Sequence, residues 1–288
     1  MARALGTAER PTDRLLNALC ALGLLEKKEG RFANTPLASR FLVEGKPDFF
    51  AHLMHTAHLW ETWSTLTEAV RQGRPVRAHP VKAQAPEWLR AFIAAMHWRA
   101  TQHAPEVVAM LDLAGVRRLL DVGGGSGAYA MAFVRAKESL RAVVFDLPDV
   151  ARLAEGYIRQ AGLADRVETV AGDFETDPLG SGFDLVFLSA ILHGNSPAQN
   201  RALLRKGAEA LVSGGQPVVH DFIMDEDRMA PPFGALFGLN MLVGTDGGDT
   251  YTESEVRRWM EGAGFAHIVR RDTAFGTSLV IARKLPRP

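Results

Sequence analysis

The chain has 288 residues, 47% hydrophobic and 23% charged, enough to bury one large core and a smaller one without disulfide staples. Its 33 basic and 33 acidic residues cancel, which argues against a nucleic-acid partner and for a small organic one. Cys20 is the single cysteine, no apolar run reaches the ~20 residues of a membrane span, and residues 1–10 lack the apolar core of a secretory signal. Cytoplasm, with no membrane partner, is the expectation.

Residues 1–43 read as helix, turn and hairpin. Pro11-Thr12-Asp13 opens a helical stretch that carries Leu15, Leu16, Leu19, Leu22 and Leu25 at helical spacing. A charged turn around Gly30 then joins two short strands, and Thr35-Pro36-Leu37 opens a further helix with proline at its first position. Helix followed by charged hairpin has the shape of a winged helix, here without its first helices. Residues 47–111 are helical and apolar, interrupted at Gly73-Arg74-Pro75 and Ala85-Pro86. His52, His55 and His58 recur every three residues, which fans the rings around a helix. A zinc helix pairs two histidines four apart, so packing or pocket lining is expected and no metal.

From Val116 onward the texture changes. Short β-branched runs at 118–122, 142–145, 167–170, 183–188 and 217–222 alternate with amphipathic helices, the pattern of a parallel α/β sheet. The runs at 267–270 and 278–282 have only a short link between them, so they read as a hairpin that adds an antiparallel last strand. The expected fold is therefore a Rossmann-like α/β domain with a mostly parallel seven-stranded sheet over residues 106–288. It follows a partial winged-helix and helical portion over residues 1–105.

Three strand ends carry chemistry. Leu119-Leu120-Asp121-Val122-Gly123-Gly124-Gly125-Ser126-Gly127 runs from a buried strand through a glycine turn into a helix, a cradle for a nucleotide-like cofactor. Asp146 ends the next strand about 20 residues on, where an acid binds ribose hydroxyls. Gly172-Asp173-Phe174 follows the third strand and can offer a carboxylate to an adenine amino group. Ligands of open α/β sheets gather at these carboxyl ends. An NAD-dependent dehydrogenase would use the same loop and the same Asp146, so the glycine loop by itself leaves that reading open.

The stretches Leu-Leu-Asp-Val-Gly-Gly-Gly-Ser-Gly, Phe-Asp-Leu-Pro-Asp-Val and Ala-Gly-Asp-Phe together resemble the S-adenosylmethionine-dependent O-methyltransferases of the plant caffeic-acid and bacterial antibiotic type. The resemblance covers almost the whole chain and implies an N-terminal winged-helix dimerisation domain, a homodimer, and S-adenosyl-L-methionine as cofactor. It implies that Gly123, Gly125 and Gly127 shape the cofactor loop. Asp146 would hold the ribose, Leu147 and Phe174 would flank adenine, and Asp173 would bind its amino group. Ser189 at the end of the fourth strand, and Met96 within Phe92-Ile93-Ala94-Ala95-Met96, would complete the cofactor site, with Met96 near the sulfonium.

His193 lies between that fourth strand and a helix opened by Ser196-Pro197-Ala198-Gln199, a capping box. A phenol, with pKa near ~10, keeps its proton at neutral pH, and an imidazole with pKa near ~6.5 can take it during methyl transfer. The family places its catalytic histidine here, usually before Asp-Trp; this chain has Gly194-Asn195. Asp221 matches the family acid that orients the base, while the second flanking acid falls at Thr250. Phe233, Phe237, Asn240 and Met241 lie on the helix that lines the family's substrate pocket, with Phe237, Asn240 and Met241 the candidate acceptor contacts. The expected reaction is methyl transfer to a hydroxyl of a small molecule. The alternatives are carbon or sulfur methylation by proximity, a dehydrogenase, and a metabolite-sensing winged-helix regulator.

Overall fold

The β-branched runs bounded by glycine turns become strands where the pattern puts them, but the leucine spacing becomes helix only as far as Ala21, with Leu22 at the helix's C-terminal cap and Leu25 opening a strand. The computed structural model describes residues 1–46, 48–50, 52–76 and 81–286, and the side chain of His52, one of the three spaced histidines, lies outside the described set. Two compact units divide between Met54 and His55. The first holds helices α1 (Ala2–Leu5) and α2 (Glu9–Ala21), strands β1 (Leu25–Lys28) and β2 (Arg31–Asn34), and helix α3 (Pro36–Phe41). β1 and β2 pair antiparallel around Glu29-Gly30, both at positive φ, the two-residue turn whose twist suits a hairpin. Thr35 caps α3 by accepting from the Ala38 amide. On α2, Leu16 is buried, whereas Leu15 on the helix and Leu22 at its C-terminal cap are 61% and 72% exposed.

The second unit follows α4 (His52–Trp63), whose first turn straddles the division, with α5 (Leu66–Gln72) and α6 (Pro86–Ala109). The division expected after residue 105 falls inside α6, which continues without a break to Ala109. Then come β3 (Arg118–Val122), α7 (Ala128–Ala136), β4 (Arg141–Asp146), α8 (Pro148–Gln160), β5 (Val167–Ala171) and β6 (Phe183–Ser189). The chain continues with α9 (Pro197–Ala210), β7 (Leu211–Asp221), β8 (Ile223–Met224), α10 (Pro232–Gly244) and β9 (Tyr251–Thr252). It closes with α11 (Glu253–Gly262), β10 (Phe265–Asp272) and β11 (Ser278–Lys284).

Seven strands form one sheet in the order β10-β11-β7-β6-β3-β4-β5. β3 to β7 are mutually parallel, and β11 runs antiparallel to both β7 and β10. The last strand is thus inserted between β7 and β10 rather than added at the rim. Burial explains the choice: residues 278–282 are buried without interruption, while β10 alternates and accepts an edge. Successive residues serve opposite faces. Leu119 and Phe187 pack under α6, α7 and α8, and Leu120 and Leu188 pack under α9 and α11. The winding reverses between the neighbours β3 and β6, so their carboxyl ends open the crevice where α/β ligands bind.

Candidate active site

The loop from β3 to α7 is shaped by two glycines with different tasks. Gly127 caps α7 at φ 74°, and a Cβ there would come within 3.2 Å of Val144, so it keeps α7 close to β4. It does not line the crevice. Gly125, at φ 57°, does line it, and the nearest atom to a Cβ built there would be Ile93 Cδ1 at 4.0 Å. A ligand can therefore approach the backbone closely at that point.

The Gly125 amide donates to Asp146 Oδ2 at 2.8 Å, and the Leu147 amide donates to Asp146 Oδ1 at 2.7 Å. Asp121, inside the apolar run of β3, accepts from the Ala130 amide through Oδ2 at 3.2 Å. Its Oδ1 is buried with no partner among the described residues. Burial pushes Asp121 up to about 7, against the Ala130 amide and with the help of the Asp146 charge. Burial likewise pushes Asp146 up to about 6, against the two amides that bond it. Such carboxyls suit a ligand that brings hydroxyl donors and a positive charge.

These groups open into a cavity of about 690 Å³. Gly123, Gly125, Asp146, Leu147, Asp173, Phe174, Ser189, Met96, His193, Asp221, Phe237, Asn240 and Met241 all line it. Of the residues singled out from sequence, Gly127, Phe233 and Thr250 do not. Asp173 differs from expectation in its bonding. Its Oδ2 accepts from Lys82 Nζ at 2.8 Å and its Oδ1 from the Glu175 amide at 2.9 Å. Burial would raise the Asp173 pKa, but Lys82 and the Glu175 amide hold it below the usual value.

His193 sits in a single 3-10 turn, Leu192–Gly194, and the Ser196–Gln199 capping box then starts α9. β6 and β7 are neighbours, so the end of β7 brings Asp221 beside this turn. Asp221 Oδ1 lies 2.7 Å from His193 Nδ1 and accepts from the Phe222 amide at 2.8 Å, while Oδ2 accepts from the His193 amide at 3.2 Å. Burial would raise the Asp221 pKa, yet the His193 ring and these amides hold it below the ordinary carboxylate value. An ionised carboxylate only accepts, so Nδ1 carries a proton, and in the neutral ring Nε2 keeps its lone pair. Thr250 is buried away from the cavity, and Asp249 bonds Arg228 and the Thr250 amide. Among the described residues, Asp221 is therefore the one carboxylate bonded to His193. Asn195, where the family has tryptophan, ties the turn to α9 through Asn200 at 3.2 Å.

On the acceptor side the Phe237 ring meets His193 edge-on at 4.8 Å. Asn240 Oδ1 accepts from the Trp63 indole at 2.8 Å, which leaves its amide nitrogen for a ligand. His55 and His58 line the cavity, each with a buried Nδ1 that has no partner among the described residues. Sequence reasoning missed Lys82, Arg99 and Tyr129, which also line it. Arg99 follows Met96 by three residues on α6, and that shared face is the available signal. Lys82 has none, because its partners are 91 and 93 residues away.

The O-methyltransferase domain family matches residues 63–266, and the O-methyltransferase dimerisation domain family matches residues 1–44. The chain is 39% identical over 276 residues to 3-hydroxy-5-methyl-1-naphthoate 3-O-methyltransferase of Streptomyces sahachiroi, covering 93% of this chain and 79% of that one. It is 34% identical over 287 residues to the tetracenomycin polyketide synthesis 8-O-methyl transferase of Streptomyces glaucescens, covering 97% and 84%. Among solved structures, human N-acetylserotonin methyltransferase in complex with S-adenosylmethionine superposes with a TM-score of 0.80 at 26% identity, covering 99% of this chain and 86% of that one. The chain belongs to the S-adenosylmethionine-dependent O-methyltransferase family.

Proposed function

We propose that this enzyme methylates a phenolic hydroxyl of a small aromatic acceptor, with His193 as general base and Asp221 as its orienting partner. The observation that carries the reading is the 2.7 Å bond between His193 Nδ1 and a buried, ionised Asp221, in the cavity that also holds Asp146 and the glycine loop. Two relatives support the acceptor class, since one is named for a hydroxylated naphthoate and the other for a polyketide.

The donor set fits S-adenosylmethionine. Asp146, fixed by two amides, keeps lone pairs for the ribose hydroxyls, and the unpartnered Oδ1 of Asp121 suits the ammonium group. Leu147 and Phe174 would flank the adenine, with Asp173 at its amino group beside Lys82. Gly123, Gly125, Ser189 and Met96 would line the rest. When bound, the cofactor supplies an electrophilic methyl group on a positively charged sulfur. His193 Nε2 takes the proton of the acceptor hydroxyl as the oxygen attacks, and Asp221 stabilises the imidazolium that forms. Phe237 and Met241 hold the acceptor ring and exclude water.

A homodimer belongs to the same reading, with the dimerisation portion running through the helical zone to about residue 105. So does a cytoplasmic location. The dimerisation-family match and the exposed Leu15 and Leu22 support the dimer. His193→Ala tests the base. Turnover should fall by roughly 10²-fold or more with cofactor affinity nearly unchanged. Full turnover in this variant rejects the base role.

A further inference from the structure

Among the described residues, Arg99 is a cation without a counter-ion inside the acceptor cavity. It lies on α6, three residues beyond Met96, and lines the same space as His193. Its guanidinium carbon stands over the Phe222 ring at 5.3 Å and the Phe233 ring at 5.6 Å. An aromatic ring face attracts the charge but offers no oxygen or nitrogen to accept the N–H groups. Among the described residues it has no ion pair and no hydrogen bond. The carboxylate nearest in effect, Asp221, is committed to His193 and two amides. His103, on the same helix, adds no negative charge. A partly buried guanidinium with five open donors is costly unless something arrives to accept them.

Resting on the acceptor-methylation reading above, we infer that Arg99 binds a carboxylate on the acceptor, so that the natural substrate is an aromatic hydroxy acid. A guanidinium matches a carboxylate through two parallel N–H···O bonds. The placement allows one ligand to use both groups, because His193 and Arg99 flank the same Phe222 ring, His193 at 6.5 Å and Arg99 at 5.3 Å. The hydroxyl goes to His193 and the acid to Arg99. Burial lowers the Arg99 pKa, and Tyr129 and Asp221 counter this, so the group stays charged for such a ligand.

The test is binding, read apart from turnover. Calorimetry with S-adenosylhomocysteine present compares 3-hydroxy-1-naphthoate with 2-naphthol, on the parent enzyme and on Arg99→Gln and Arg99→Lys. The acid should bind the parent about 30-fold more tightly than the naphthol. Arg99→Gln should erase that preference, and Arg99→Lys should restore part of it. Equal affinity for the two probes, a preference that survives Arg99→Gln, or no binding of either probe at millimolar concentration overturns the assignment. Turnover is scored separately. An acid that binds through Arg99 but is never methylated rejects the hydroxyl-methylation reading while leaving the carboxylate site standing.

Discussion

Asp221→Asn probes the catalytic pair with the least change of shape. The carboxylate accepts from three donors: His193 Nδ1 at 2.7 Å, the Phe222 amide at 2.8 Å and the His193 amide at 3.2 Å. Asparagine in the same rotamer offers one oxygen and one NH2. With the oxygen toward Nδ1, the NH2 faces the His193 amide, donor against donor. With the oxygen reversed, the NH2 faces both the Phe222 amide and Nδ1. The imidazole then relieves the clash only by moving its proton to Nε2, where it no longer accepts one from substrate. In either orientation the imidazolium loses its buried counter-charge. Hydrogen bonds to charged groups are worth about 1.5–3 kcal/mol, and losing that support in the transition state lowers turnover by about 10²-fold, more if the tautomer changes. The fold should lose about 1–3 kcal/mol for the unsatisfied donor, partly offset because a charge is no longer buried. Single-turnover transfer of a labelled methyl group measures the rate, and calorimetric cofactor affinity reports the fold. A folded variant that binds cofactor and turns over within about threefold of the parent refutes the pair.

Cofactor binding should depend on pH through Asp121, near 7, and Asp146, near 6, both raised by burial. Their protonated forms dominate below those values and are poor partners for an ammonium or a ribose diol. Affinity should therefore rise from about pH 5 to about pH 8, with protons released on binding near neutrality, read from the buffer dependence of the calorimetric enthalpy. A flat profile contradicts this. Leu15→Asp combined with Leu22→Asp should convert a dimer to a monomer by light scattering, because it charges the exposed leucines of α2 and its C-terminal cap. A dimer that persists points to another interface.

The sequence carries much of this arrangement because its signals are local. The glycine loop, Asp146 and the capping box at Ser196 each announce a strand end or helix start within a few residues. The parts that are not legible depend on distant pairing. Nothing near Asp173 shows that Lys82 will occupy its carboxylate from 91 residues away. Thr250 stands where the family has an acid, but only the fold shows that this position misses the cavity. The short strands β8 and β9 are two residues each, too brief for any periodicity. Arg99 reads as an ordinary charge on a long helix because its neighbours Phe222 and Phe233 arrive from beyond β7.

The pairing of β8 with β9 bears on how such an enzyme tolerates change. Ile223 lies beside Tyr251 and Met224 beside Thr252, so the excursion over residues 225–250 leaves and returns at adjacent backbone points. One end continues from the strand that carries Asp221, and at the other the Tyr251 hydroxyl donates to the Asn195 carbonyl in the His193 loop. Between these clamped ends lies α10, with Phe237, Asn240 and Met241 on the cavity. The excursion is also tied to α11 and β10: Arg228 bonds Glu255, Glu226 accepts from Ser254, and Asp225 pairs with Arg270. The pocket wall is coupled to the proton-transfer pair, because Phe237 meets the His193 ring edge-on, and a change in one bears on the other.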